Sequence, residues 1–375
     1  MKKLLIATDS FLPRWDGISR FLSEIIPFLS EDYEITVIAP DFPGNTPPFK
    51  GLRIVRVPLG KFVFGDYQLP KFKLALVRKE VSRADIVFSQ TIGPVGTFAV
   101  FEASRKKKPI ISYIHSIEWE LFTYSLKPRP FIRPVLHAAF KMLARVVYNR
   151  CKLLLVPSRE IGEFITHNGI KTQKKILHMG TDVHKFSPPH DKAAIKQSLG
   201  LNPKAPVIGF VGRLGREKNL QTLYRSFVRV QKHVPSAQLL IVGEGVLELK
   251  ELFAGKKNIF AVGFQNNTVP YYQAMDVYVL PSLTETSSLS TMEAMACGVP
   301  VVCTPVGYVK TYVRPGYNGF LFPRRKSFSL AHHLKTLLND EQLRLEMGKN
   351  ARKTALSQFS WERMIKDLKQ VLEFF

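Results

Sequence analysis

The chain has 375 residues, of which 54 are Lys or Arg and 30 are Asp or Glu, a formal net charge of +24. That length suits two domains of ordinary size, and 45% hydrophobic with 22% charged residues excludes a disordered or fibrous chain. The positive field favours anionic partners, but it is spread over both halves and does not choose among nucleic acid, membrane and a phosphate-rich substrate.

An apolar run over 4–8 predicts a first strand and is too short for the core of a signal peptide. Helical spacing over 21–29 and a strand over 35–39 complete a β-α-β opening. In the loop between strand and helix, Gly17 would let the backbone approach a phosphate closely, or else serves a turn with no ligand. Short strands over 53–57 and 86–89 precede an apolar run that ends in His115. That side chain would emerge at the same carboxyl edge as the Gly17 loop, where a lone histidine has either a ligand role or a structural one.

The stretch 123–152 holds seven cations, among them Arg129, Arg133, Lys141 and Arg145, and no acidic residue. Its second part, 135–148, has helical periodicity. A basic amphipathic helix of this kind binds an anionic membrane surface, each cation contributing about 1 kcal/mol near acidic lipid; the alternative is a core helix with a solvated basic edge. A strand over 153–156 follows. The turn residues Ser187, Pro188 and Pro189 place an interdomain linker at 187/188.

The second half restarts the same grammar with a strand over 206–212 and a turn that carries Arg213 and Lys218. A guanidinium fork and an ammonium point charge at that spacing suit a diphosphate, or else make a solvated basic turn. Further strands over 239–243 and 258–263 lead to the apolar run 276–280. Beyond it Ser287 and Ser288 stand where a helix needs capping side chains, and Leu289, Met292 and Ala296 recur at helical spacing. Amides at this helix start favour an anionic ligand. Glu285 and Glu293 flank them, one placed for a reacting centre and the other for a vicinal diol, unless both merely face solvent. An amphipathic helix after Phe359 closes the chain. Cys151, Cys297 and Cys303 lack the spacing of a zinc site or a disulfide framework and predict a reducing compartment. No run is long and apolar enough to span a bilayer.

The segment from Glu285 to Glu293 closely resembles the Glu-x7-Glu signature of the retaining glycosyltransferases of family 4. The Arg213/Lys218 turn, the Gly17 loop and the His115 strand end resemble that family's other motifs, in the same order. The resemblance implies the α/β GT-B fold, two doubly wound Rossmann-like domains facing an interdomain cleft. Residues 1–187 would be the acceptor side and 188–359 the nucleotide-sugar side, with 360–375 a helix crossing back to the first domain. It also implies Glu285 and His115 as catalytic residues, and Gly17, Arg213, Lys218, Ser288, Leu289 and Glu293 as donor-binding ones. Where common members have Gly-Phe-Gly after the first Glu, this chain has Thr286, Ser287 and Ser288, and Ile18 replaces the usual second glycine of the first loop. Both variants look like the branch that glycosylates diacylglycerol. Tyr308 and Thr311 replace a glycine and a glutamate usual in the family, so no site role is carried over to that turn.

The expected activity is transfer of a hexose, with retained configuration, from a UDP- or GDP-linked sugar such as UDP-glucose to a membrane lipid such as diacylglycerol or a glycolipid. Transfer to a soluble or polyprenyl-linked glycan, for example by a mannosyltransferase, is the alternative. Neither a cofactor nor a metal is expected, because there is no Asp-x-Asp motif and two cationic side chains can neutralise a leaving diphosphate. The Arg129, Arg133, Lys141 and Arg145 surface would meet an anionic membrane or the acceptor, giving a cytoplasmic, peripheral membrane protein. A basic nucleic-acid binder is the reading from another class. The aromatics of 123–152 do not follow a recognition-module pattern, so nucleic acid is not expected as a partner.

Overall fold

The computed structural model describes residues 1–64, 67–125 and 131–375. It divides into two compact units, one of Met1–His178 with Ile365–Phe375 and one of Met179–Met364. The breaks differ from those expected at 187/188 and 359/360, and hydrogen bonds explain the first. Arg352 donates to the carbonyl oxygens of Val183 and Phe186 at 2.8 Å and of Ala296 at 2.7 Å, so the segment before Ser187 is fastened to the second unit.

The first unit is built on β1 (Lys2–Ala7), β2 (Tyr33–Pro40), β3 (Arg53–Val57), the hairpin strands β4 (Leu59–Phe64) and β5 (Tyr67–Pro70), β6 (Ile86–Ser89), β7 (Ile110–Tyr113), β8 (Leu153–Val156) and β9 (Lys174–Ile176). Seven of these form one parallel sheet in the order β3-β2-β1-β6-β7-β8-β9. Its central strands are short, mostly apolar and, over 86–89, 110–113 and 153–156, buried at every position because helices cover both faces, as a parallel sheet requires. On one face Val77, Ala99, Ala103, Ala144 and Val147 join a single apolar core, so helices 74–83, 94–105 and 133–148 form one layer. The antiparallel β4-β5 hairpin is not announced by alternation, since Phe62 and Val63 are consecutive and both exposed.

The second unit contains β10 (Val207–Val211), β11 (Gln238–Val242), β12 (Ile259–Ala261), β13 (Val277–Leu280), β14 (Val301–Cys303) and β15 (Gly319–Leu321). They form a parallel sheet in the order β12-β11-β10-β13-β14-β15. The order reverses between the neighbours β10 and β13, and that switch point is where an open α/β sheet binds ligands outside its carboxyl edge. At the opposite edge Asp276 locks the same two strands. It accepts from Val207 N at 2.8 Å and from Lys196 Nζ at 2.6 Å. Among the described residues no helix is long and apolar enough to cross a membrane.

Candidate active site

In the second unit the loops after β10 and β13 are stitched together. Leu283 N donates to the Glu217 carbonyl at 2.7 Å, and Asn219, in the left-handed region at φ 54°, donates from Nδ2 to the Pro281 carbonyl at 3.1 Å. This brings the basic turn against the acidic loop. Lys218 Nζ lies 2.5 Å from Glu285 Oε1, which also accepts from Ser282 Oγ at 2.8 Å. Arg213 is bonded to the carboxylate of Glu217, which is buried at 2% exposure. Gly307 supports the loop from the other side. Its φ is +46°, and a Cβ there would stand 2.1 Å from the Glu285 carbonyl oxygen, so no larger residue fits; the next residue, Tyr308, donates N–H to Thr286 O at 2.8 Å.

Helix 289–296 starts in this loop. Ser288 is its N-cap and accepts from Thr291 N, while Ser287 Oγ is buried and makes no hydrogen bond. Leu289 is half-buried at the first helical position. Glu293 lies on the inner side of the helix, 1% exposed, with Oε2 accepting from Tyr272 Oη at 2.6 Å. It therefore does not face open solvent as a glutamate on a capped surface helix would.

The first unit has its own switch point, between β1 and β6, but there the helix starts are already filled by carboxylates. Asp9, at the end of β1, accepts from Val95 N at 2.8 Å and Gly96 N at 3.0 Å, capping helix 94–105. Burial pushes its pKa up, against those bonds, which pull it down. Gly93 is needed beside it, because a Cβ would meet the carboxylate at 2.4 Å. Asp16 likewise caps helix 17–29 and holds Ile18 N at 3.0 Å and Ser19 N at 3.1 Å. Gly17, expected in the loop before the helix, is the first helical residue, and the amides of Ile18 and Ser19 after it are bonded to Asp16. A Cβ on Gly17 would meet nothing within 4 Å, so the space beside it is open.

His115 follows β7, its Nε2 2.8 Å from Gln90 Oε1 after β6, with its ring against Phe21 and Tyr113. Burial lowers its pKa to about 3, so the imidazole is neutral at ordinary pH. Three residues on, Glu118 is buried against Tyr148 Oη, and burial raises its pKa to about 7.

The family model "Glycosyltransferase Family 4" matches residues 15–185, and "Glycosyl transferases group 1" matches residues 191–354. The chain is a family 4 glycosyltransferase. It is 28% identical to a sulfoquinovosyl transferase from Arabidopsis thaliana over 92% of this chain and 68% of that one. It is 23% identical to the alpha-monoglucosyldiacylglycerol synthase of Streptococcus pneumoniae, over 84% and 74% of the two chains. Sucrose-phosphate synthase from Thermosynechococcus elongatus superposes with a TM-score of 0.80 over 99% of this chain and 98% of its own, at 20% identity. The fold is GT-B.

For this glycosyltransferase, Arg213, Lys218, Glu285, Ser288 and Leu289 gather at one sheet edge. Glu293 lies on the inner side of the same helix. The side chains expected at a membrane or acceptor separate. Arg133 is exposed over the Tyr124 ring at 5.2 Å, Lys141 is half-buried, and Arg129 lies outside the described residues. Arg145 Nε donates to the Asn168 carbonyl at 2.5 Å, fastening helix 133–148 to the end of helix 159–167. Sequence reasoning missed Glu217, Ser282, Tyr272 and Gln90, the partners of the expected residues. Only Glu217 carried a signal, standing four residues after Arg213.

Proposed function

We propose that this enzyme transfers a hexose from a nucleotide-diphosphate sugar to a membrane lipid such as diacylglycerol, with retained configuration and without a metal. The observation that carries the donor side is the paired arrangement of Arg213 with Glu217 and Lys218 with Glu285 beside the start of helix 289–296. A diphosphate arriving there meets two cations and amides capped by a neutral serine, whereas the helix starts of the first unit are occupied by Asp9 and Asp16. As the sugar–phosphate bond breaks, Arg213 and Lys218 take up the negative charge of the leaving diphosphate, the role a metal would otherwise fill. Lys218 cannot serve the diphosphate and Glu285 equally, so donor binding loosens the Lys218–Glu285 contact and leaves Glu285 to face the developing positive charge on the sugar. Glu293, oriented by Tyr272, is the group for the ribose diol.

The lipid acceptor is supported by the two variant motifs and by the exposed basic part of helix 133–148. It is also supported by relatives whose names are those of lipid glycosyltransferases. Membrane contact there would be peripheral, on the cytoplasmic face. A panel of UDP- and GDP-sugars, incubated with and without diacylglycerol vesicles and with and without chelator, tests the reading. The expected result is one preferred donor whose sugar moves to lipid; transfer only to soluble or polyprenyl-linked glycans would replace the acceptor assignment.

A further inference from the structure

Helices 74–83 and 94–105 leave a groove on the outer side of the first unit, lined by Leu74, Val77, Phe98 and Phe101, with Arg78 and Arg105 at its rim. Both arginines reach the same carboxylate. Arg78 Nε is 3.6 Å and Arg105 Nη2 2.5 Å from Glu102 Oε1, so the rim keeps a net positive charge even with this pair formed. Phe72 extends the apolar floor, 71% exposed with its ring edge-on to Phe98 at 5.5 Å. A third guanidinium, that of Arg150, lies 4.4 Å over the Phe101 ring.

Apolar floor and cationic rim together select the occupant. A nucleic acid would use the arginines and waste the aromatic floor; an apolar peptide would use the floor and leave the charges unanswered. An anionic glycerophospholipid uses both, with its phosphate at the guanidinium groups and an acyl chain along Leu74, Phe98 and Phe101. Position agrees with this. Helix 94–105 belongs to the same layer as helix 133–148, on which Arg133 is exposed, so one lipid surface would meet both. We propose that the groove between helices 74–83 and 94–105 binds an acidic phospholipid of the membrane surface, separately from the acceptor. The inference shares a membrane partner with the proposed function but rests on residues that reading does not use.

The test is flotation with vesicles of phosphatidylcholine alone and with phosphatidylglycerol added, comparing the wild type with Arg78→Glu/Arg105→Glu. The expected result is that the double reversal weakens binding to the acidic vesicles at least about tenfold. Transfer to diacylglycerol dispersed in neutral detergent should stay within about twofold, which keeps failure of the groove distinct from failure of the acceptor assignment. In a second measurement, the indole introduced by Leu74→Trp should be quenched by phosphatidylglycerol carrying brominated chains. Acidic-vesicle binding that survives the double reversal, or an indole that brominated chains leave unquenched, would overturn the proposal.

Discussion

Lys218 Nζ and Glu285 Oε1 stand 2.5 Å apart although 67 residues separate them in sequence. The contact exists because β10 and β13 are adjacent at the point where the strand order reverses, and backbone bonds tie their loops together. If the ammonium leaves Glu285 for the donor diphosphate, each cation of the turn contributes to the leaving group. Lys218→Ala and Arg213→Ala should then each lower kcat at least about tenfold, and chelator should not. Steady-state rates with and without EDTA check this. Full loss in chelator, restored by magnesium or manganese, would assign the charge stabilisation to a metal.

Glu293 and Tyr272 form a second pair, both buried. Removing the carboxylate deletes the group proposed for the ribose diol, a charge-assisted bond of roughly 1.5–3 kcal/mol. Glu293→Ala should therefore weaken nucleotide-sugar binding about tenfold or more, and Tyr272→Phe should weaken it less, by releasing the carboxylate from its orientation. Calorimetric titration with the nucleoside diphosphate measures both, and an unchanged affinity for Glu293→Ala removes Glu293 from the donor site.

Half-buried His115 and buried Glu118, both near the end of β7, give opposite pH signatures. For His115 the folded-state pKa of about 3 lies below the ordinary 6.5. Between those values the unfolded chain binds a proton that the folded chain refuses, so stability falls as pH drops from 6.5. For Glu118 the folded value of about 7 lies above the ordinary 4.5. There the folded chain holds the extra proton, and that contribution, complete below 4.5, is lost as pH rises through 7. Relative to wild type, His115→Gln should gain thermal stability at pH 5 over pH 8, and Glu118→Gln at pH 8 over pH 5. Melting curves across this range decide it; parallel curves for all three proteins would contradict both assignments.

Helix 133–148 separates cations that face outward from one that fastens the fold. Arg133→Glu with Lys141→Glu should weaken binding to acidic vesicles at low salt and leave the melting temperature within a few degrees, because neither holds a buried partner. Arg145→Glu should instead lower the melting temperature, since it places a carboxylate against the Asn168 carbonyl. Vesicle binding by the Arg133/Lys141 variant equal to that of wild type would make this helix face a solvated surface only.

The sequence made the local features legible and hid the long-range partners. Ser288 is the helix cap that its place before Leu289, Met292 and Ala296 implies, because a cap is decided within one turn of helix. The doubly wound grammar was equally readable, since each buried parallel strand is a short apolar run. Glu293, read as a group at a helix start, proved to be turned inward onto Tyr272, 21 residues away, which helical periodicity alone does not report. Arg145 looked like its basic neighbours because composition does not distinguish a solvated guanidinium from one bonded to a carbonyl in the next helix. Tyr308 departs, with Thr311, from the family pattern, yet its backbone and that of Gly307 hold the loop of Glu285. There the requirement is on close approach, and side-chain identity at Tyr308 does not carry it.

Movement of a hexose from a nucleotide sugar to a lipid by this chain is measured as transfer of labelled glucose from UDP-glucose into an organic-extractable product. The assay uses diacylglycerol vesicles containing acidic lipid, with Glu285→Ala and the parallel GDP-mannose reaction as controls. The wild type should give labelled glycolipid of retained anomeric configuration. Glu285→Ala should turn over at least about tenfold more slowly, with little change in donor affinity. Label found only in soluble or polyprenyl-linked glycan, or equal turnover by Glu285→Ala, would contradict this function.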